Sequence, residues 1–257
     1  MRGNRAVSDM IAFVIVFSLI ITSVGITYTY GLSTLDEYQE GEQKRNAERA
    51  FVALSDNLGD IEDRQVQGRS GELRLSGGTV SVQEDTQVNV TAPNWNRSFG
   101  EVGALTYQYE GTRIEYESGA VFRRDGDSRR VMLSEPEFQC SGSHAVVSIV
   151  TLSTPDGTAF SSDGTAQVIA ELDRRYLRYP LNRSVTSSSD TAAVNYVDVT
   201  VNSSKTEGWS DYFEDEGGWS DQTNADPDEE TFRCGEDDSE DVDLYVRQTV
   251  IDIRFIG

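Results

Sequence analysis

Lysine is almost missing from this chain. Lys44 and Lys205 are the only two in 257 residues, and the 22 Lys+Arg face 44 Asp+Glu for a formal charge of -22. Nucleic-acid binding draws its affinity from Lys and Arg that displace counterions from phosphates, so a surface this acidic excludes nucleic acid as a partner. Histidine is scarcer still, with His144 alone. A catalytic triad or a zinc site would have to be built around it, and no Gly-x-Ser-x-Gly elbow, His-Glu-x-x-His pair or Cys-x-x-Cys knuckle accompanies it. His144 reads as a structural residue in a loop ahead of a strand. The glycine pairs match neither a P-loop nor a dinucleotide fingerprint. The expectation is a protein that is not an enzyme, with no catalytic, cofactor-binding or metal-ligating residue and no cofactor. Carboxylates are so abundant that no single pair of them is informative.

A charge of this size strains a compact fold by self-repulsion, but at molar salt the screening length shrinks to about 3 Å and the penalty largely disappears. The composition therefore reads as adapted to brine. A disordered acidic protein is the alternative, and the 37% of hydrophobic residues argues for a packed core instead.

Long apolar runs are absent except at one place. From Met10 to Ile26 the chain reads MIAFVIVFSLIITSVGI, and no charge follows until Asp36. The stretch to Leu32 suffices for a bilayer-crossing helix of about 20 residues. Arg2 and Arg5 precede it, while Asp36, Glu37, Glu40 and Glu42 follow. The positive-inside rule keeps the N-terminus cytoplasmic and places everything after Leu35 outside. A secretory signal would have a shorter apolar region and a small-residue cleavage site behind it; no A-x-A follows Ile26.

The segment Arg5-Ala6-Val7-Ser8-Asp9-Met10-Ile11, with the apolar run behind it, resembles the class III signal of archaeal type IV pilins and archaellins. The resemblance covers about the first 35 residues. It departs from haloarchaeal pilins at Asp9, where many carry proline, and from bacterial pilins at Ile11, where they carry glutamate. It implies leader cleavage between Ala6 and Val7, an apolar helix kept in the mature chain, and sister subunits packed through that helix. A plain uncleaved membrane anchor is the alternative.

Beyond Leu32 the apolar residues Leu35, Tyr38, Ala47, Ala50, Phe51, Leu54, Leu58 and Ile61 largely keep helical spacing, with Glu42, Lys44, Arg45, Glu48 and Arg49 between them. An unbroken helix from Met10 to Ile61 would be roughly 75 Å long, with Gly31, Gly41 and Gly59 as weak points or stops. The chain divides into a cytoplasmic leader (1–9), a transmembrane helix (10–32), an amphipathic helical stalk (33–66) and an extracellular β-rich head (67–257).

In the head, Leu73-Arg74-Leu75 and Thr79-Val80-Ser81-Val82 flank Gly77-Gly78, a hairpin signal. Leu105, Tyr107 and Tyr109 before Gly111, Ile114 and Tyr116 before Gly119, and then Val121-Phe122 predict three consecutive antiparallel strands. Runs at 145–152, 167–179, 196–201 and 242–255 bring the expected count to nine to eleven strands. The fold class expected is α+β: a long N-terminal helix followed by a mostly antiparallel β head, a sandwich or two-layer sheet. The last run alternates well and should lie deep in its sheet. Trp209, Tyr212 and Phe213, at i, i+3 and i+4, predict a short helix docked by its aromatic face. Gly208-Trp209-Ser210-Asp211 recurs as Gly218-Trp219-Ser220-Asp221, too short to imply a repeat protein; Trp219 reads as core, with carbohydrate stacking as the alternative.

Cys140 and Cys234 are the only cysteines. Both fall outside the membrane, where an oxidising exterior favours a disulfide between them. Four glycosylation sequons lie there too, at Asn89, Asn96, Asn182 and Asn202. From Asp211 to Asp243 acids accumulate, including Asp226, Asp228, Glu229, Glu230, Glu236, Asp237, Asp238, Glu240 and Asp241. The stretch reads as a solvated loop, with a Ca²⁺ or Mg²⁺ site as the sharper alternative, although EF-hand spacing is lacking.

These readings converge on a single-pass, membrane-anchored surface protein. Its partners are the lipid bilayer and, through the N-terminal helix, sister subunits; the sequence names no small-molecule ligand. The resemblance implies a pilin-like structural or adhesion role on a halophilic archaeon. The rival is a monomeric anchored binding module that recognises a glycan or an envelope protein.

Overall fold

The computed structural model describes residues 4–64, 66–84, 86–141, 143–154, 159–180, 193–203, 207–223, 229–236 and 242–257. The class is α+β: an N-terminal apolar helix followed by a mostly β domain. The chain divides into two compact units, Met1–Arg45 and Asn46–Gly257.

Helix α1 (Asn4–Asp63) supplies the first unit. Every residue from Asp9 to Gly31 is exposed there. Neither Gly31, Gly41 nor Gly59 stops the helix, although each weakens a helix interior by about 1 kcal/mol relative to alanine. Within the second unit, the last part of α1 buries Ala47, Phe51, Leu54, Leu58 and Ile61. Their steps of three and four residues put them on one stripe, so burial of that stripe offsets the weakness at Gly59.

Three sheets make up the rest. The first runs in the order β1 (Gly68–Arg74), β12 (Thr165–Tyr179), β17 (Val242–Ile256), β10 (His144–Ser153) and β9 (Phe138–Ser141), with β13 (Ala193–Val194) paired to the start of β17. The second runs β11 (Ala159–Ser161), β2 (Thr79–Gln83), β5 (Ala104–Tyr109), β6 (Thr112–Glu117), β7 (Ala120–Asp125) and β8 (Val131–Ser134). The third runs β15 (Trp219–Asp221), β16 (Glu229–Gly235), β14 (Tyr196–Ser203), β3 (Thr86–Ala92) and β4 (Trp95–Glu101). Among the described strands β10 and β17 pair in parallel and the other pairs are antiparallel. A short helix, α2 (Glu207–Asp215), buries Trp209, Tyr212 and Phe213, as their spacing predicts.

The three consecutive strands expected around Gly111 and Gly119 are β5, β6 and β7. Their turns, Glu110-Gly111 and Ser118-Gly119, hold both central residues at positive φ, the primed geometry that matches strand twist. The hairpin expected around Gly77-Gly78 is a correction. The tight turn is there, at Ser76-Gly77 with a Gly78 N–H to Leu75 carbonyl bond of 2.8 Å. The flanking segments nevertheless separate: β1 pairs with β12 and β2 with β5. A turn fixes a change of direction, while the pairing partner is set by which faces find cover. The strand count is corrected too: 17 strands are described, because polar runs such as Trp95–Glu101 pair as edge strands without an apolar pattern to announce them.

Two hydrophobic cores lie on opposite faces of the first sheet. Ala145, Val147 and Ile149 of β10 with Val242, Leu244 and Val246 of β17 pack into one, with the third sheet and α2. Val150 and Leu152 with Ile251 and Ile253 pack into the other, with α1 and the second sheet. The buried set changes from even to odd positions between Val246 and Ile251, so β17 is covered on one face in its first half and on the opposite face in its second. As expected, β17 lies inside its sheet, between β12 and β10.

Candidate functional site

The N-terminal segment is the feature with the plainest physical demand. Asp9–Gly31 forms 23 residues of helix with mean hydropathy 2.5, long and apolar enough to cross a membrane, and none of it is buried. Phe13, Val16, Phe17, Ile20 and Ile21 are all more than half exposed. Thr29 and Thr34 return their hydroxyls to the carbonyls of Gly25 and Tyr30 at 2.9 Å, which satisfies those polar groups inside the helix itself. Ala6 and Val7 belong to the backbone of α1.

Cys140 and Cys234 form a disulfide, with Cα atoms 5.7 Å apart. It joins β9 of the first sheet to β16 of the third across the edge of the core that holds Phe213 and Phe232. Gly218 lies against this bridge at φ +101°, where a Cβ would stand 2.7 Å from the Cys140 carbonyl oxygen. That is why a glycine opens the second Gly-Trp-Ser-Asp copy. Trp219 packs edge-to-face on Phe213 at 5.1 Å.

The acidic stretch is not one loop, which corrects the expectation. It contains α2, β15 and β16, and Phe232 and Cys234 of β16 are buried at alternate positions. Asp226, Asp228, Asp237, Asp238, Glu240 and Asp241 lie outside the described residues. Among the described residues no three of His, Cys, Asp and Glu are placed to hold a metal ion.

Three of the four sequon asparagines share one surface. Val88, Val90, Val197, Val199 and Val201 point into the core from the third sheet, so the alternate positions Asn89 and Asn202 point outward. Asn96 is exposed and stands opposite Thr91, on the same outward side. Asn182 lies outside the described residues. His144 opens β10, exposed, with its Nδ1 2.7 Å from the Ser143 hydroxyl.

Two ionic clusters carry no signal in the sequence. In the first, Arg130 is 1% exposed and its Nη2 lies 3.0 Å from Glu117 Oε2 and 3.3 Å from Glu115 Oε2. Its guanidinium stacks 3.8 Å from the centre of the Phe122 ring. The Trp209 indole N–H donates to Glu117 Oε1 at 2.7 Å, which anchors α2 to the second sheet. Gly208 allows that docking, since a Cβ there would meet Phe122 at 2.7 Å. Alternation in Thr112–Glu117 assigns Glu115 and Glu117 to solvent; β6 is instead covered on both faces, by the α1 core on one and by α2 with Arg130 on the other.

In the second, Glu62 is 7% exposed at the end of α1. It accepts a hydrogen bond from the Ser148 hydroxyl and lies 3.4 Å from Arg247 Nη2. The same guanidinium pairs with Asp63 at 2.8 Å and with Glu137. Burial raises the Glu62 carboxyl to about 7, opposed by Arg247 and reinforced by Glu137 and Asp63. Burial also raises Glu137, with Asp63 beside it. The carboxylates border a cleft of about 470 Å³ lined by Asp56, Asp60, Glu135 and Tyr116 as well. With three carboxylates on one arginine, the cleft holds negative charge in excess.

No curated protein and no solved structure matches the chain. A family model matches residues 5–254, from the start of α1 to near the end of β17, and the protein accordingly belongs to DUF7289, a family of unknown function.

Proposed function

We propose that the protein is a membrane-anchored, pilin-like structural or adhesion subunit at the cell surface of a halophilic archaeon. The observation that carries this reading is the Asp9–Gly31 helix, apolar and exposed on every side. Such a surface is unstable in water and calls for lipid or a bundle of sister helices. The charge of -22 and the Cys140–Cys234 disulfide suit a body held in brine on the oxidising side of the membrane. Leader cleavage between Ala6 and Val7 leaves the helix in the mature chain. The β unit then works by contact, without turnover.

N-terminal mass spectrometry of protein from the native membrane tests this. A start at Val7 is the expected result. An intact Met1 or Arg2 start selects a plain anchor instead, and a freely soluble product without residues 10–32 overturns the anchoring reading altogether.

A further inference from the structure

The β unit of this acidic protein carries a basic edge. Arg97 sits on β4, the terminal strand of the third sheet, and is exposed. Trp95 of the same strand meets Tyr179 edge-to-face at 5.4 Å, which brings β4 against the end of β12. There the Arg178 guanidinium stacks 3.7 Å from the centre of the Tyr176 ring, and its Nε donates to Gln248 Oε1 at 2.9 Å. Ring and amide hold the guanidinium in one orientation. Burial and the like charge of Arg97 both lower Arg178. Among the described residues neither arginine meets a carboxylate, in a chain with 44 of them.

The same unit carries a complementary surface. Between β8, the terminal strand of the second sheet, and α2 runs a groove of about 460 Å³. Its lining includes Val131, 57% exposed, and Met132, together with Glu135, Asp211, Asp215 and Glu216. Asp211 holds Arg129, whereas Glu135, Asp215 and Glu216 meet no cation among the described residues.

We propose that the acid-lined groove between β8 and α2 of one copy receives the Arg97/Arg178 edge of β4 and β12 of a second copy. Guanidinium–carboxylate pairs set the orientation. The two surfaces differ, so the contact is heterologous: each added copy leaves one edge and one groove open, and growth continues as a ring or a filament. The inference rests on the surface-subunit reading and adds a contact between β units to the contact between helices.

The test is sedimentation of the full chain in detergent micelles for the wild type, for Arg97→Glu with Arg178→Glu, for Asp215→Arg with Glu216→Arg, and for an equal mixture of the two variants. Each variant alone is expected to self-associate about tenfold more weakly than wild type, and the mixture to recover association, which also shows that both are folded. Unchanged association in both variants overturns the groove contact and leaves helix-driven assembly intact. A wild type that stays monomeric overturns both. If the arginine variant associates normally but loses binding to polygalacturonate, the edge serves an acidic polysaccharide and the inference falls.

Discussion

Glu62 Oε1 and Arg247 Nη2 stand 3.4 Å apart, and through them the last turn of α1 is held to the middle of β17. Arg247 does not fully compensate the burial of Glu62, whose carboxyl is raised from 4.5 to about 7. The folded state therefore binds this proton more tightly than the unfolded chain does. Stability is highest below pH 4.5 as far as this group is concerned, falls as pH rises towards 7, and levels off above it. The span corresponds to at most about 3 kcal/mol. Glu62→Gln should flatten the fall in thermal midpoint between pH 5 and pH 7.5, as measured by calorimetry in constant salt. Parallel slopes in wild type and variant would remove Glu62 as the cause.

Arg130→Met is expected to cost about 3–5 kcal/mol, because it leaves the Glu117 carboxylate buried beside Glu115 without its guanidinium. Glu115 retains Arg113 at 2.5 Å, so Glu117 bears most of the loss. Adding Glu117→Gln should recover part of the stability, since the amide can stay neutral beside the Trp209 indole. Guanidinium unfolding of the single and double variants reads this directly. A double variant no more stable than Arg130→Met would place the loss in the stacking on Phe122 instead.

Reducing the Cys140–Cys234 bond releases a loop spanning 94 positions. In the chain-entropy model this lowers stability by about 4.7 kcal/mol. Denaturant midpoints with and without reductant check the value. Alkylation of both thiols in unreduced native protein would contradict the bond itself.

The outward face of the third sheet is expected to carry any N-glycan at Asn89, Asn96 or Asn202. Intact mass of native protein should exceed the sequence mass, and each Asn→Gln change at an occupied site should remove one increment. A mass equal to that of the polypeptide rejects modification at these positions.

The last strand is legible in the sequence because apolar and polar residues alternate along Val242–Val246 and again along Ile251–Phe255, and alternation is a local property of the chain. The aromatic face of α2 is legible for the same reason, from three rings at helical spacing. The arginine clusters are not. Arg130 sits in a polar run between β7 and β8, and nothing near it in the chain shows that Glu115, Glu117 and Trp209 gather around it. The basic edge is hidden likewise: Arg97 and Arg178 are 81 positions apart, and a contact between Trp95 and Tyr179 brings their strands together.

The sequence by itself determined the apolar helix, the β-rich character of the chain beyond it, the aromatic face of α2 and the only cysteine pair that can form. Each depends on composition or on periodicity within one segment. Tertiary structure alone decided that Leu73–Leu75 and Val80–Val82 part into different sheets, that β17 is covered on opposite faces in its two halves, and that the two carboxylates of β6 are buried. The reason is physical: side-chain period shows which residues share a face, whereas the cover for that face comes from segments far away in the chain, and burial belongs to the pair.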